Sequence, residues 1–519
     1  MSLPDDRRAG NVGDAFRLMC RWNARYELIV DGETRYTGQR LSDEAEAVAR
    51  ALTNSGAGAG KTVLFIGHNS ARFVAAFVGA HIAGAVTCNI HPAETPAFVK
   101  TTFDQLNPSA IICDEAQLDK VAAVLAESNG AVAVLSLGTG PSIQADLCFD
   151  EIIAGSNAGE GDVISGVGPD DPAIVILSSG STGPPKGICH NQANFVEWMR
   201  HAPALFGHAE RGTRFLVIVG TSFAAWVFSG IPVLHAGGAI ILMKEFSPEA
   251  FCALVEKERV TMVGPVPTMI RMLDPSITDR YDLSSFRMVL CAGEPPSSAD
   301  IERIRGWAAT DIRCLYLASE TSPGAATFWQ LRDMVELGKP VCAGRPVPGA
   351  DIRIVDPDGT IDDLLPPGHP GEILLSGPTI AQGYWNNPEL TQARFRKGWW
   401  RSGDIGQIDE DGFLYVHGRN DNTINSGGIK VQGEEVELCL LRHPAVRQAA
   451  VIGVPDAKWG HRIEAHVTLS AAVDVDDLFH HCRTELAAFK VPKEIRVRDN
   501  LPTGVTGKLD RVALRKERM

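Results

Sequence analysis

A run of five apolar residues, Ala173-Ile174-Val175-Ile176-Leu177, leads straight into Ser178-Ser179-Gly180-Ser181-Thr182-Gly183-Pro184-Pro185-Lys186-Gly187. The run predicts a buried strand. Three glycines in the loop that follows let the backbone bend freely and bring N–H groups close to a ligand. Four hydroxyl residues add donors, and Lys186 adds a fixed positive charge. Many donors beside a cation suit phosphate oxygens. The P-loop pattern, in which Ser or Thr follows the lysine, is absent because Gly187 stands there. A plain Ser/Gly-rich surface loop is the competing reading. The feeding strand and the spacing of the single lysine count against it.

At 519 residues the chain is too long for one hydrophobic core and is expected to divide into at least two domains. The net charge of −14 argues against a nucleic-acid or anionic-membrane binder, although 49 Lys and Arg leave room for a local basic pocket. Eleven cysteines stand singly, with no C-x-x-C pair. That pattern fits reduced thiols in a cytoplasmic enzyme, not a disulfide framework or a zinc site. The first eight residues carry no apolar run, so no signal peptide is expected.

From Phe215 to Met243 there is no Asp, Glu, Lys or Arg, a length that could span a bilayer. Gly220, Pro232 and Gly237-Gly238 cut this stretch into strand, helix and strand, so buried core is the expected outcome and no membrane span. Ser55 to Thr62 approaches a Walker A motif but precedes a strand, Val63-Leu64-Phe65-Ile66, where a P-loop must follow one. It reads as a turn from the helical run Leu41–Leu52 into that strand. Strands alternating with helices through Ala110-Ile111-Ile112-Cys113 predict a mostly parallel α/β sheet. The Gly- and Asp-rich stretch from Asp146 to Asp171 reads as a connector.

Further motifs follow in order: Gly293-Glu294-Pro295 after an apolar strand, Tyr316-Leu317-Ala318-Ser319-Glu320, Ser402-Gly403-Asp404, Gly418-Arg419-Asn420-Asp421, Ser426-Gly427-Gly428-Ile429-Lys430, and Gly507-Lys508 near the terminus. Together with the loop from Ser178 to Lys186, this series resembles the adenylate-forming superfamily, the AMP-binding ligases that include acyl-CoA synthetases. The resemblance covers nearly the whole chain. It implies an α/β fold with a large N-terminal domain of layered mixed sheets, helices and a β-rich subdomain over residues 1–420. A small mobile α/β domain over 421–519 would carry the catalytic lysine.

The resemblance also assigns roles. Ser178, Ser179, Gly180, Ser181, Thr182, Gly183 and Lys186 would hold the phosphates of ATP. Gly293, Glu294 and Pro295 would form one wall of the adenine site and Tyr316 its face. Ser319 would contact phosphate and Glu320 would hold Mg²⁺. Asp404 would accept the ribose hydroxyls, with Arg419 beside it. Asp421 would be the hinge, Gly428 would border the arm of coenzyme A, and Lys508 would be the catalytic lysine. Phe223 and Leu317 would border the acyl pocket. Ala224 stands where amino-acid-activating relatives place Asp, so an amino-acid substrate is not expected. Leu317 replaces the usual Gly and predicts a narrowed pocket.

The resulting expectation is a carboxylate–CoA ligase of the kind used in fatty acid metabolism. It would form AMP through an acyl-adenylate and act on a compact hydrophobic or aromatic acid. A homodimer is compatible with the sequence. The alternatives are an enzyme that loads an acyl group onto a carrier protein, a luciferase-like oxidase, a non-catalytic nucleotide-binding module and a membrane transporter.

Overall fold

Helix Ala71–Ile82 buries every residue except Arg72, and Ser70 caps it by accepting from the Phe73 N–H. A helix apolar on all sides needs a neighbour on every side. In the computed structural model that need is met by two large sheets facing one another across a shared helical layer. The structure describes residues 10–128, 131–140, 144–156, 163, 165–178, 185–206, 211–292, 296, 298–307, 311–321, 327–330, 337, 339, 342–426, 429–456, 459–503 and 509–518.

The first sheet orders its strands 383–384, 186–191, 172–178, 86–90, 62–66, 110–113, 133–136 and 147–148. It is parallel from 147–148 through 172–178, and its last two pairings are antiparallel. The second runs 345–346, 327–330, 311–316, 288–292, 262–263, 214–217, 239–242, 27–31 and 34–37. It too is parallel through its middle and antiparallel at both margins. One apolar cluster joins Phe65, Ile174 and Ile176 of the first sheet to Val217, Ile240 and Met288 of the second, through Phe16, Val48, Phe77 and Trp198 on the helices between. Separate clusters pack helices on the outer faces. Five layers result, helix and sheet alternating, as expected for doubly covered parallel sheets.

The uncharged stretch resolves into strand Arg214–Val217, a helical segment over 226–235 and strand Ala239–Leu242. Among the described residues no helix is long and apolar enough to cross a membrane. The connector expected from Asp146 to Asp171 needs correction. Leu147–Cys148 is a strand and Phe149–Gly155 a helix. Gly and Asp dominate the composition there, but Phe149 is buried and Ile152 and Ile153 pack on the inter-sheet cluster. Those three apolar residues suffice to hold one short helix.

Strands 351–355, 371–376, 399–408, 395–396 and 414–419 form a third, antiparallel sheet. After a short turn at Asn420–Asn422 comes a fourth, ordered 429–432, 423–426, 460–469 and 446–456, with 494–497 added alongside 460–469. Helices Gly433–Leu441 and Val475–Glu485 cover it, and Ile424, Val436, Leu440, Val451, Val467 and Leu478 form its own core. A separate core is the physical mark of a separate domain.

Candidate active site

The carboxyl ends of the two large sheets meet. Beyond strand 62–66, the Asn69 amide donates to Val219 O at 2.9 Å and Met243 O at 2.8 Å, both just past strands of the other sheet. Asn69 Oδ1 accepts from Trp226 Nε1 at 2.8 Å. Asn89, near the end of strand 86–90, donates to Thr221 O at 2.9 Å, and Thr221 Oγ1 donates to Gly67 O at 2.7 Å. The crevice outside the carboxyl ends of parallel strands is where open α/β sheets bind ligands.

The Ser/Gly loop closes an antiparallel hairpin in which Ser178 stands opposite Lys186. Ser179, Gly180, Ser181, Thr182 and Gly183 lie outside the described residues. Gly187 admits a close neighbour: a Cβ there would come within 2.9 Å of Val175 Cγ1 and 3.2 Å of Trp385 Cβ. Trp385 N donates to Gly187 O at 2.7 Å, and Gln382 N to Cys189 O at 2.9 Å. The segment so fastened carries Tyr384.

Strand Asp311–Tyr316 delivers the next group. His190 Nε2 donates to Ser319 O at 2.8 Å, and Ala381 N donates to Glu320 O at 2.8 Å. Burial pushes the His190 imidazole down to about 4, so it stays neutral, with Nε2 protonated to meet that carbonyl. Tyr384 OH donates to Glu320 Oε1 at 2.9 Å. Burial raises the Glu320 carboxyl above its ordinary range, opposed by the Tyr384 hydrogen bond and by the charges of Arg419 and Lys186. A buried carboxylate with one side-chain donor among the described residues fits a hard cation whose other ligands are phosphate oxygens and water. Among the described residues no group of three or more His, Cys, Asp and Glu could cage a metal without such help.

Asp404 sits in a strand whose register slips against 371–376 between Glu372 and Leu374. Gly403, at φ +74°, takes the left-handed conformation that the slip requires. Its N–H donates to Glu372 Oε1 at 3.1 Å, and Glu372 also pairs with Arg401. The bulge aims Asp404 at two donors from other strands. Tyr316 OH donates to Oδ2 at 2.5 Å and Arg419 Nη1 to Oδ1 at 3.0 Å. Burial and the Asp404 charge hold the Tyr316 hydroxyl well above its usual range, so it remains a donor. An ionised carboxylate accepts through both oxygens, with roughly four lone-pair sites in all.

At the other end, Asn89, Ile176, Thr221, Phe223, Ala224 and Val227 line a recess enclosing about 210 Å³ of empty space, its open mouth included. The Phe223 ring meets His91 edge to face at 6.3 Å. Leu317 is half-buried on the inter-sheet cluster, as Ala224 is, but does not line this recess. Gly293, Glu294, Pro295, Gly428 and Lys508 lie outside the described residues, as does the side chain of Asp421. The structure thus brings Ser319 and Glu320 together with His190 and Tyr384, and Tyr316 together with Asp404 and Arg419.

Sequence reasoning missed His190, Tyr384, Glu372, Asn69 and Asn89. One signal was available: on the strand that Lys186 opens, alternation places Ile188 and His190 on the same face.

Comparison with known proteins follows the same division. Residues 18–385 match the AMP-binding enzyme family and residues 435–508 the AMP-binding enzyme C-terminal domain. The chain is 33% identical over 501 residues to a feruloyl-CoA synthase from an Amycolatopsis species, covering 94% of this chain and 95% of that one. It is 29% identical over 504 residues to the oxalate–CoA ligase of Arabidopsis thaliana, covering 94% of each. Among solved structures, the amide bond synthetase McbA from Marinactinospora thermotolerans superposes with a TM-score of 0.87 at 28% identity, over 98% of this chain and 99% of that one. The fold is also that of the anthranilate CoA ligase AuaEII in complex with anthranoyl-AMP, with a TM-score of 0.87 at 24% identity over 98% and 97% of the two chains. The chain belongs to the AMP-binding enzyme family and is an acid–thiol ligase that uses ATP, Mg²⁺ and coenzyme A.

Proposed function

We propose that this ligase activates a compact acid, single-ring aromatic or short and branched, and passes it to the thiol of free coenzyme A. The observation that carries the reading is the recess behind Phe223. Ile174, Val175, Ile176, Phe223, Ala224 and Val227 give it a narrow apolar lining, and among the described residues no Arg or Lys joins them. The 33% identity to a feruloyl-CoA synthase supports an aromatic acid.

In the first half-reaction the carboxylate attacks the α-phosphorus of ATP, forming an acyl-adenylate and releasing pyrophosphate. Asp404, gripped by Tyr316 and Arg419, would accept the ribose hydroxyls. Tyr316 would face adenine beside the wall 293–295. Lys186 and the hydroxyls from Ser178 onward would bind the β- and γ-phosphates, with Ser319 at their margin. Glu320, steadied by Tyr384, would hold Mg²⁺, which when bound neutralises phosphate charge. Lys508 would stabilise charge developing between carboxylate and α-phosphate. In the second half-reaction the thiolate attacks the acyl carbon and AMP leaves. Residues 421–519 would turn about Asp421 between the two steps, withdrawing Lys508 and presenting Gly428 to the thiol's arm. The reading places the enzyme in the cytoplasm, as a monomer or homodimer.

The test is AMP release dependent on coenzyme A, measured across carboxylic acids of graded length and aromaticity. The largest kcat/KM is expected for compact acids, and preference for long straight chains overturns the substrate class. A holo-carrier protein as the better acceptor overturns the second step. Lys508→Ala should abolish pyrophosphate release while sparing thioester formation from a supplied acyl-adenylate, and Gly428→Trp should do the converse. Equal loss of both half-reactions in either folded variant defeats the two-state scheme.

A further inference from the structure

Asn69 and Asn89 do the same structural work, each stretching from one large sheet to a backbone carbonyl beyond the other. They differ in what is left over. Asn69 is fully engaged, with two carbonyls on its amide nitrogen and the Trp226 indole on its oxygen. Asn89 is 6% exposed and donates its nitrogen to Thr221 O, and its buried Oδ1 has no hydrogen-bond partner among the described residues. The orientation of the amide is not arbitrary. Only the nitrogen can face a carbonyl, so the oxygen must turn the other way.

A buried amide oxygen without a donor is costly, and native proteins rarely leave one. Among the described residues none donates to Asn89 Oδ1 in this conformation, Ser222 of the same lining included. Asn89 lines the recess with Ile174, Ile176, Phe223 and Val227, and the Thr221 hydroxyl already donates to Gly67 O. A valine or leucine would suit this strand interior if only packing mattered.

We propose that Asn89 Oδ1 is a specificity-determining acceptor, and that the acid carries a neutral hydrogen-bond donor, a hydroxyl or an aryl amine, on its ring or chain. This rests on the recess being the acyl site, as argued above. The donor is neutral because a single amide oxygen cannot compensate a buried ammonium, and Ala224 offers no charge to help. A site built around such a contact discriminates strongly against the analogue lacking the donor, whose binding leaves Oδ1 unpaired.

The experiment compares kcat/KM for pyrophosphate release within matched pairs: hydroxybenzoate or aminobenzoate against benzoate, and hydroxycinnamate against cinnamate. Wild-type enzyme is expected to favour the donor-bearing acid of at least one pair by tenfold or more. Asn89→Leu should reduce that ratio to near one. Asn89→Asp, neutral when buried, can donate its proton to Thr221 O and keep an acceptor, so it should retain the preference. If Asn89→Leu loses its native melting transition, Asn89→Ser makes the same comparison. Wild-type ratios near one in every pair, or a ratio that survives Asn89→Leu or Asn89→Ser, overturn the proposal, a resident water being then the partner of Oδ1. Failure of every acid to release pyrophosphate overturns the acyl site itself and this inference with it.

Discussion

At the end of the site proposed to hold the nucleotide a carboxylate is gripped by charge and by a phenol, whereas at the proposed acyl end the scaffold is made of neutral amides. Asp404 is reached by Tyr316 and Arg419, and the bulge that aims it is tied down by Glu372 and Arg401. Asn69, Asn89 and Thr221 hold the proposed acyl end with hydrogen bonds to backbone carbonyls, padded by Phe73, Phe77 and Trp226. The difference matches the ligands. The nucleotide is the same in every turnover, so fixed charges can be committed to it. The acid is where relatives such as feruloyl-CoA synthase and oxalate–CoA ligase diverge, and a neutral scaffold can be re-lined without stranding a charge.

The sharpest way to break this contrast is Asp404→Ala. It removes the carboxylate proposed to accept the ribose hydroxyls and leaves Arg419 and Tyr316 facing one another without it. The Arg419 side chain is 46% exposed, so the effect is set by the charge-assisted hydrogen bonds lost, roughly 1.5–3 kcal/mol, and kcat/KM for ATP should fall about 10- to 10²-fold. The KM for the acid should change far less. A parallel rise in both constants would mean that the two ends are not separately built.

Asn69→Ala is the counterpart at the acyl end. It orphans Val219 O, Met243 O and the Trp226 indole together, in a residue only 5% exposed. At about 1 kcal/mol or more for each buried group left unpaired, the loss should be near 3 kcal/mol in chemical denaturation. ATP affinity of the folded fraction should hardly move. A stable variant with weakened ATP binding would reverse the assignment.

A smaller effect separates the ends by pH. His190 is buried and neutral, with its folded value pushed down to about 4 from an unfolded value of 6.5. The unfolded chain therefore takes up the proton first. The stability contributed by this histidine is complete above pH 6.5 and declines as the pH falls towards 4. At pH 5 the loss is about 2 kcal/mol. His190→Gln can still donate to Ser319 O but does not titrate, so its stability should fall less between pH 7 and pH 5. Identical acid profiles for the two proteins would show that His190 is not buried neutral.

Legibility divides along a different line. Tyr316, Glu320, Asp404 and Arg419 enter as candidates through short local motifs that resemble those of the family, and the Lys186 loop through its residue types as well. What fixes them was not visible. Tyr384 reaches Glu320 across 64 residues, His190 reaches Ser319 across 129, and Trp226 reaches Asn69 across 157. Strand and helix periodicity carry no information over such separations. The helix at Phe149–Gly155 was hidden by its composition, and Asn89 by its strand, where a polar residue looks like a local exception.

Leu317 gives the smallest effect and bears on the acyl end alone. It follows strand Asp311–Tyr316 and rests half-buried on the cluster that also receives Ala224 and Ala292. Because it does not line the recess with Phe223, it cannot form the floor of that space, and any narrowing it causes must lie along the approach. Replacing it with Gly opens room beside Tyr316 without disturbing Asn89 or Phe223. Each methylene newly accommodated is worth about 0.8 kcal/mol, roughly fourfold in kcat/KM. Leu317→Gly should therefore raise activity on acids lengthened by one or two methylenes by that factor per step, while the preference within a fixed ring size stays put. Measuring kcat/KM over a homologous acid series in both proteins decides the matter. An unmoved optimum would mean that Leu317 serves only the packing of the cluster and that the channel leaves by another route.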